Sequence, residues 1–495
     1  MSESDHGGFS LRELKSGTDL RGVASGTESE VQLSPDRARL AAVGFARWLK
    51  SFAIEPGCRP IVAVGRDSRA TGVVLSRAVM EGLASEGARV LDAGMSTTPA
   101  MFMITQHPQF QCDAAVMLTA SHMPSRYNGL KFIVKTGGLE AAELDEVLKQ
   151  TDSLDVPGKQ TDGSVGSAGT DFESVDFTPW YLNELSARVE RSLGSDSPLN
   201  GLRVVVDASN GSGGFYAKWL ESLGADISGS INLEPDGSFP AHPPNPEDES
   251  AIRALSSATV EACADLGVIL DADCDRAALV AADGSPLWRE RLIALCADMI
   301  IRETPGAAIV TDSVTSPALR SFIERRGGIH HRYKRGYKNV INECKRLNAA
   351  GIICPLAIET SGHAAFSDNR FLDDGMMLAT RLIIEAVRLK REGKSLVGRV
   401  ADLPEPCESY EWRIPMEDRE RRTASLELMR RWIIDHPEAG YAAADSAEGT
   451  RAERTDGWFL LRASVHEPTL VWNASSDTVG GVNRMVDDLK NALNL

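Results

Sequence analysis

The sequence is short of positive charge: 53 lysines and arginines face 70 aspartates and glutamates, a formal net charge of −17. A protein whose main partner is nucleic acid needs a basic surface to neutralise phosphates, so that class is excluded. No apolar run comes near the roughly 18–20 residues that a membrane span requires, and no membrane partner is expected. Residues Met1 to Gly8 have neither the positive start nor the apolar stretch of a signal peptide. The eight cysteines (Cys58, Cys112, Cys263, Cys274, Cys296, Cys344, Cys354, Cys407) are scattered, and none forms a Cys-x-x-Cys pair. At this size the pattern points to reduced, mostly buried thiols, not to a disulfide frame or a zinc site. A cytoplasmic protein is expected.

What is present is ordinary globular material, 42% hydrophobic and 25% charged over 495 residues. That excludes a mostly disordered or collagen-like chain. The length suggests about three domains, with two to four allowed. An acidic chain can still hold a local basic pocket, and the motifs below require one.

Short β-type runs alternate with amphipathic stretches over about the first 165 residues. Ile61 to Val64 reads as a strand ended by Gly65-Arg66-Asp67-Ser68-Arg69, Val73 to Ser85 as a helix, and Ala88 to Leu91 and Ala114 to Leu118 as further strands. This order favours a layered α/β domain. Thr151 to Thr170, rich in Gly, Ser, Asp and Thr, reads as a linker. A second α/β pattern has strands at Arg203 to Asp207 and Leu266 to Leu270, with a Gly-rich turn at Ser209 to Gly214 and a helix over Phe215 to Leu223. A third begins near Glu290, with strands at Ala307 to Thr311 and Ile352 to Ile358. After Glu405, two apolar runs, Trp458 to Leu461 and Thr469 to Trp472, lie between helical stretches and suggest a small α+β domain with an antiparallel sheet. The three α/β segments resemble one another weakly enough that a diverged repeat is only a suspicion.

Four loops carry candidate chemistry. Thr119-Ala120-Ser121-His122-Met123-Pro124 directly follows a buried strand, which holds Ser121 at the carboxyl edge of a sheet, where α/β ligand sites lie. Lys131, ten residues on, stands at the start of the strand Phe132 to Val134 and returns toward the same spot. An ordinary strand-to-loop turn is the competing reading. Asp271-Ala272-Asp273-Cys274-Asp275-Arg276 follows the run Gly267 to Leu270, and aspartates at i, i+2 and i+4 project to one side of an extended segment. Such charges repel unless a hard cation compensates them, and oxygen-only ligands point to Mg²⁺ or a similar ion. An EF-hand is excluded, because Arg276 and Ala282 stand where Gly and Glu are needed; a solvated acidic turn is the alternative. Glu359-Thr360-Ser361-Gly362-His363 offers acceptors and a donor suited to vicinal hydroxyls, and His363 can exchange protons near neutrality. A capped turn explains that loop about as well. Arg462-Ala463-Ser464-Val465-His466-Glu467-Pro468 has the makings of a phosphate clamp, or of an exposed arginine on a sheet loop.

The order of these motifs is more telling than any one of them. Arg21, the Ser-His loop, the triple-Asp loop, Lys338 after Gly336, Glu-x-Ser-Gly-His and the C-terminal Arg-x-Ser follow one another across about residues 16 to 485. The chain thereby resembles the α-D-phosphohexomutase superfamily, which includes phosphoglucomutase and phosphomannomutase. The resemblance implies an α/β fold of three similar α/β/α layered domains with mixed sheets and a C-terminal α+β domain with an antiparallel sheet, arranged around a central cleft. The expected domains are residues 1–168, 169–287, 288–402 and 403–495, which carry the phosphoserine, metal, sugar and phosphate loops in turn.

By the same resemblance, Ser121 would be the phosphoserine. Asp271, Asp273 and Asp275 would hold Mg²⁺ together with the phosphate on Ser121, and Arg276 would assist the phosphoryl in transfer. Arg21, His122, Lys131 and His363 would serve the reacting end. Lys338, Glu359 and Ser361 would bind substrate, while Arg462, Ser464 and His466 would hold the phosphate that is not reacting. Arg66 is expected to join Arg21, Lys131, Arg276, Lys338 and Arg462 around phosphates. The implied reaction interconverts hexose 1-phosphate and 6-phosphate of glucose or mannose through a bisphosphorylated sugar, with hexose 1,6-bisphosphate as activator. A phosphosugar is the expected partner, and the protein a monomer or homodimer. Three departures stand out: a residue missing before Leu20, Ala272 where Gly is usual, and Val465 and His466 where the family usually has Asn and Thr. Phosphoglucomutase-like proteins of plant plastids and bacteria are similar in carrying the Ser-x-His variant. Phosphoglucosamine mutase, a sugar-phosphate-binding paralogue with little turnover and a metal-dependent phosphatase that uses a phosphoserine are the rival readings.

Overall fold

The computed structural model describes residues 10–55, 57–152, 172–194, 196–464 and 468–495, so most of the expected linker at Thr151 to Thr170 lies outside the described residues. The chain forms two compact units, residues 1–286 with 374–384, and residues 287–373 with 385–495. All eight cysteines are free, and most are buried. Among the described residues no helix is long and apolar enough to cross a membrane.

The first unit holds two sheets. The larger one runs in the order Lys15–Ser16, Asp19–Val23, Tyr127–Val134, Ala114–Leu118, Ile61–Arg66, Arg89–Met95, Glu173–Ser174, with Gly137–Gly138 paired to Tyr127–Val134. Its central strands, Val62, Val64 and Val116 among them, are buried as parallel strands covered by helices must be. Helix Pro35–Trp48 begins where Ser34 accepts a hydrogen bond from the Arg37 N–H and Pro35 presets the first turn. It packs on helix Gly72–Ser85, and Phe45 meets Phe132 of the sheet at 4.6 Å between ring centroids. The second sheet runs Pro286–Leu287, Ala277–Ala281, Leu266–Leu270, Val204–Asp207.

The second unit also holds two sheets. One runs Ile329–Arg332, Ala308–Thr311, Leu356–Ile358, Ala364–Phe366. The other is wholly antiparallel, in the order Glu408–Pro415, Thr469–Ser476, Gly457–Ala463, Thr450–Arg454, Ala442–Ala444, with helices Arg419–Asp435 and Gly481–Leu493. Trp472 lies at its centre among Phe459, Leu461, Met429 and Leu489.

The three α/β sheets repeat one pattern. In the first, Ile61–Arg66 pairs in parallel with Arg89–Met95 and Ala114–Leu118, and Ala114–Leu118 then pairs antiparallel with Tyr127–Val134. In the third, Ala308–Thr311 pairs in parallel with Ile329–Arg332 and Leu356–Ile358, which turns back antiparallel into Ala364–Phe366. The second keeps the parallel pair and the antiparallel return, and isolated parallel bridges from Arg203 to Asp226 and Asp207 to Ile231 stand in for its outer strand. The topology supports the suspected repeat that residue similarity left open.

Three local expectations are corrected. The strand that carries Lys131 starts at Tyr127, so Lys131 lies mid-strand opposite Met117. Asn128-Gly129 looks like a turn signal, but Asn128 is buried and donates to Thr71 Oγ1 at 3.0 Å. A Cβ on Gly129 would lie 2.5 Å from the Leu20 carbonyl, so the close strand spacing requires glycine there. The strand expected from Ile352 is shorter, Leu356–Ile358, because Ile352 and Ile353 are exposed and Pro355 has no N–H to give a ladder. Asp271 to Asp275 is a tight turn, not an extended segment: Cys274 has φ 62° and its N–H reaches back to the Asp271 carbonyl.

Trp472 is fully buried, whereas Ile353 is 61% exposed. Trp472→Ala is expected to destabilise the C-terminal sheet by about 3–5 kcal/mol and Ile353→Ala by less than about 0.5 kcal/mol. Denaturant midpoints of the two variants, followed by tryptophan-independent circular dichroism, check this.

Candidate active site

In each α/β sheet one motif occupies the hairpin between the last parallel strand and the antiparallel return. These loops hold Ser121, the aspartates, and Glu359 with His363. Each turns on one left-handed residue: Ser121 at φ 49°, Cys274 at φ 62° and Gly362 at φ 92°. For the two non-glycine residues that conformation costs about 1–2 kcal/mol and must be held by its surroundings.

In the first unit, the Ser121 hydroxyl donates to Asp271 Oδ2 at 2.8 Å and accepts from Arg276 Nη2 at 3.1 Å. Both Ser121 and Arg276 are buried. Arg276 is fixed by further bonds from Nε to Asp271 Oδ2 at 3.0 Å and from Nη1 to Asn245 Oδ1 at 3.2 Å. Asp271, Asp273 and Asp275 each offer a carboxylate oxygen within 4.8 Å of the others. Lys131 Nζ donates to Asp273 Oδ2 at 2.9 Å and also to Asp275. Thr98 grips the same loop, with Oγ1 at 2.6 Å from Asp273 Oδ2 and its N–H at 2.9 Å from the Asp273 carbonyl. Arg21, across from Gly129 in the sheet, donates to Asp19 at 2.8 Å. His122 is exposed beside Ser121.

Unit charges about 4–5 Å apart interact by about 3–4 kcal/mol at an effective dielectric of about 20, so this cluster is strongly coupled. Burial, then the charges of Asp275 and Asp273, push the Asp271 carboxyl well above its ordinary range. Burial also raises Asp275, but Lys131 and Arg276 outweigh it and the carboxyl lies low. Arg21 is pulled down by burial, yet Asp19, Asp273 and Asp275 more than restore it. Asp273 Oδ1 is buried and accepts no hydrogen bond among the described residues. A buried carboxylate oxygen without a donor, in a cluster of three carboxylates, fits a hard divalent cation.

In the second unit, Glu359 accepts from the Gly336 N–H at 2.6 Å, and His363 Nδ1 lies 2.8 Å from Ser361 Oγ. His363 also sits 3.5 Å from Glu359 and 3.6 Å from Asp373, with the Tyr337 ring stacked on it. Lys338 is half-buried in the first turn of helix Tyr337–Ala349. Arg462 is 5% exposed, and its Nε has no hydrogen-bond partner among the described residues. Burial, then the charge of Arg335, holds its pKa below the usual value. The Ser464 N–H donates to the Thr469 carbonyl at 2.9 Å, while His466 lies outside the described residues. Glu448 ties the two sheets of this unit together, accepting from Ser313 Oγ and from the Arg335 N–H at 2.9 Å.

The structure adds residues that the motifs did not reveal. Arg66, expected among the phosphate-facing cations, donates to the Asp67 carbonyl at 3.4 Å, and Arg69 reaches the serine loop instead. Asp67-Ser68-Arg69 ends a buried strand just as the recognised motifs do, and that position was the available signal. Thr98 and Asn245 had none, since each acts across a long stretch of chain. Arg335 adjoins Gly336 and Lys338, but only the fold brings it to Arg462.

Three family models match consecutive stretches, described as phosphoglucomutase/phosphomannomutase α/β/α domains I, II and III, over residues 12–155, 179–284 and 288–407. A phosphoglucomutase/phosphomannomutase of Thermococcus kodakarensis is 30% identical over 454 residues, covering 91% of this chain and 92% of that protein. A phosphomannomutase/phosphoglucomutase of Pseudomonas putida is 29% identical over 436 residues, covering 88% and 87%. The crystal structure of a phosphoglucomutase/phosphomannomutase family protein from Burkholderia thailandensis superposes with a TM-score of 0.79 at 26% identity, covering 98% of each chain.

A second buried pair stands behind the aspartate loop. His242 Nε2 lies 2.8 Å from Asp207 Oδ2, and three residues later the same segment presents Asn245 to Arg276. Burial pulls the imidazolium down, but the hydrogen bond and charge of Asp207 prevail and the pKa is raised. A raised histidine pKa gives stability that is fully present below about 6.5 and is lost as pH rises through the elevated value. The thermal midpoint should therefore fall as pH rises above about 6.5 by more in the wild type than in His242→Asn, as melting curves across that range would measure.

Proposed function

The chain belongs to the phosphoglucomutase/phosphomannomutase family, within the α-D-phosphohexomutase superfamily, and we propose that Ser121 is the residue through which its phosphoryl group passes. The protein is a hexose phosphate mutase, an isomerase. The observation that carries the assignment of Ser121 is the seat of its hydroxyl, 2.8 Å from Asp271 and 3.1 Å from Arg276 at the rim of a three-carboxylate cluster.

On this reading the substrate hydroxyl attacks the phosphorus on Ser121, the P–Oγ bond breaks, and a bisphosphorylated sugar forms. After the sugar turns over, Ser121 Oγ attacks the other phosphate and the product leaves with one. Arg276 Nη2, already within hydrogen-bond reach of Oγ, stabilises the negative charge that grows there as the bond breaks. Arg21 and Lys131 add positive charge at the reacting end, with His122 beside the serine. His363, held by Ser361, takes or returns the proton of the substrate hydroxyl. Asp271, Asp273 and Asp275, with an oxygen of the phosphate on Ser121, would hold Mg²⁺, which when bound supplies charge opposite the phosphoryl oxygens. A hexose 1,6-bisphosphate restores the phosphate to Ser121 whenever it is lost to water.

Recognition falls to the later loops, Glu359 to His363 and Arg462 to Ser464. Glu359 and Ser361 receive the sugar hydroxyls, and nothing in that pair selects between the C2 epimers, so both glucose and mannose phosphates are proposed as substrates. Lys338, Arg462 and Ser464 take the phosphate that is not reacting. Arg335, whose charge acts on the buried Arg462 guanidinium, shares that anion with it, since two guanidinium groups together favour a dianionic ligand. The free, scattered cysteines fit a cytoplasmic protein.

Ser121→Ala is expected to lower hexose 1- to 6-phosphate interconversion by about 10³-fold or more with the fold intact, measured in a coupled assay with bisphosphate activator; activity near that of the wild type would remove the assignment. Loss of a charge-assisted hydrogen bond costs about 1.5–3 kcal/mol, so Arg335→Ala should raise KM by about tenfold or more and leave kcat within about threefold. Steady-state kinetics with glucose and mannose phosphates separate the two constants.

A further inference from the structure

We propose that Arg69 is a positioning residue for the phosphoryl-carrying serine, acting through a closed ring of hydrogen bonds around the Ser121 backbone. The inference rests on Ser121 being the group that exchanges phosphate.

Arg69 follows the strand Ile61–Arg66, is 1% exposed, and pairs with the equally buried Asp67. A guanidinium has five N–H bonds, and each of these has an acceptor. Nε donates to Asp67 Oδ2 at 3.1 Å. Nη1 donates to the carbonyls of Pro124 and Tyr127 at 2.8 and 2.9 Å. Nη2 donates to the carbonyls of Ser121 and Met123 at 2.5 and 2.7 Å. One side chain thus holds four carbonyls of the loop that carries the nucleophile. No donor is left for a substrate phosphate, so Arg69 serves the reaction only through the loop.

Asp67 closes the ring from the other side. Its Oδ2 accepts from Thr119 Oγ1 at 2.7 Å, and Thr119 Oγ1 in turn accepts from the Ser121 N–H at 2.8 Å. The N–H and the C=O of Ser121 are therefore both tied to one buried ion pair. Ser121 needs that support, because its φ of 49° is disfavoured for a residue with a Cβ. The ring is also covered by the segment Gly237 to Phe239. The Phe239 ring lies 5.0 Å from the Arg69 guanidinium, and a Cβ on Gly237 would lie 2.4 Å from the Ser68 carbonyl, so that turn seats against Arg69 only with glycine.

A lysine at position 69 keeps the charge opposite Asp67 but cannot span four carbonyls, since an ammonium is a point donor and the guanidinium a planar fork. The test is steady-state kinetics of Arg69→Lys and Thr119→Val, with thermal midpoints and Ser121→Ala as reference. The expected result is a fall in kcat of about tenfold or more for Arg69→Lys and about threefold or more for Thr119→Val, with KM within about threefold in both. KM is expected to hold because all five N–H donors of Arg69 are already bonded within the protein. Should Arg69→Lys not fold, Thr119→Val decides by the same criterion. A kcat within about twofold of wild type in the folded variants overturns the inference, as does a loss of kcat and KM together that tracks only the lowered midpoint. If Ser121→Ala is dead while both ring variants are fully active, the ring alone is refuted; if Ser121→Ala turns over normally, the assignment of Ser121 falls and the inference with it.

Discussion

Buried negative charge at one turn is the constraint on which the first unit depends. Three carboxylates within 4.8 Å of one another cannot be left uncompensated away from water. Lys131 comes from the first sheet, Arg276 from the same turn, and the charge of Arg21 from the strand beside Lys131. The serine hydroxyl sits where Asp271 and Arg276 meet. Each carboxylate thus lies near a positive group already in place. The sequence shows net acidity of −17, yet the residues around Ser121 form a local balance of both signs.

The same hairpin, used three times, explains how one architecture supplies unlike chemistry. A parallel strand ends, a left-handed residue turns the chain, and the next strand returns antiparallel. What differs is the cargo: a hydroxyl in the first, carboxylates in the second, and an acceptor pair with a histidine in the third. Rigid strands on both sides of so short a loop fix their side chains more firmly than a long loop would. The C-terminal sheet departs from this plan, presenting Arg462 from an antiparallel strand whose neighbour carries Trp472 in the core.

Much of this was legible in the residues. Strand ends at Leu118 and Leu270 and the motifs that follow them were readable because a continuous apolar run stops abruptly at polar residues, and the structure puts hairpins there. The register of Lys131 was not, because Asn128-Gly129 carries a turn signature that tertiary packing overrides. The convergence of the three aspartates was expected for the wrong geometric reason: the pleat of an extended chain was assumed, whereas a tight turn draws them together. Thr98 and Asn245 were invisible for a more general reason. Their partners lie 175 and 31 residues away in the chain, and no local pattern encodes a contact of that separation.

Phosphosite mapping by mass spectrometry is the direct test of the proposed passage of the phosphoryl group through Ser121. The full chain is incubated with a hexose 1,6-bisphosphate and Mg²⁺, digested, and its peptides mapped before and after addition of excess hexose 6-phosphate. One phosphate is expected, on Ser121, that is lost when the monophosphate is added and reappears in the bisphosphorylated sugar. A phosphate on a different residue, or a chain that turns over hexose phosphate while never carrying phosphate at all, would contradict it.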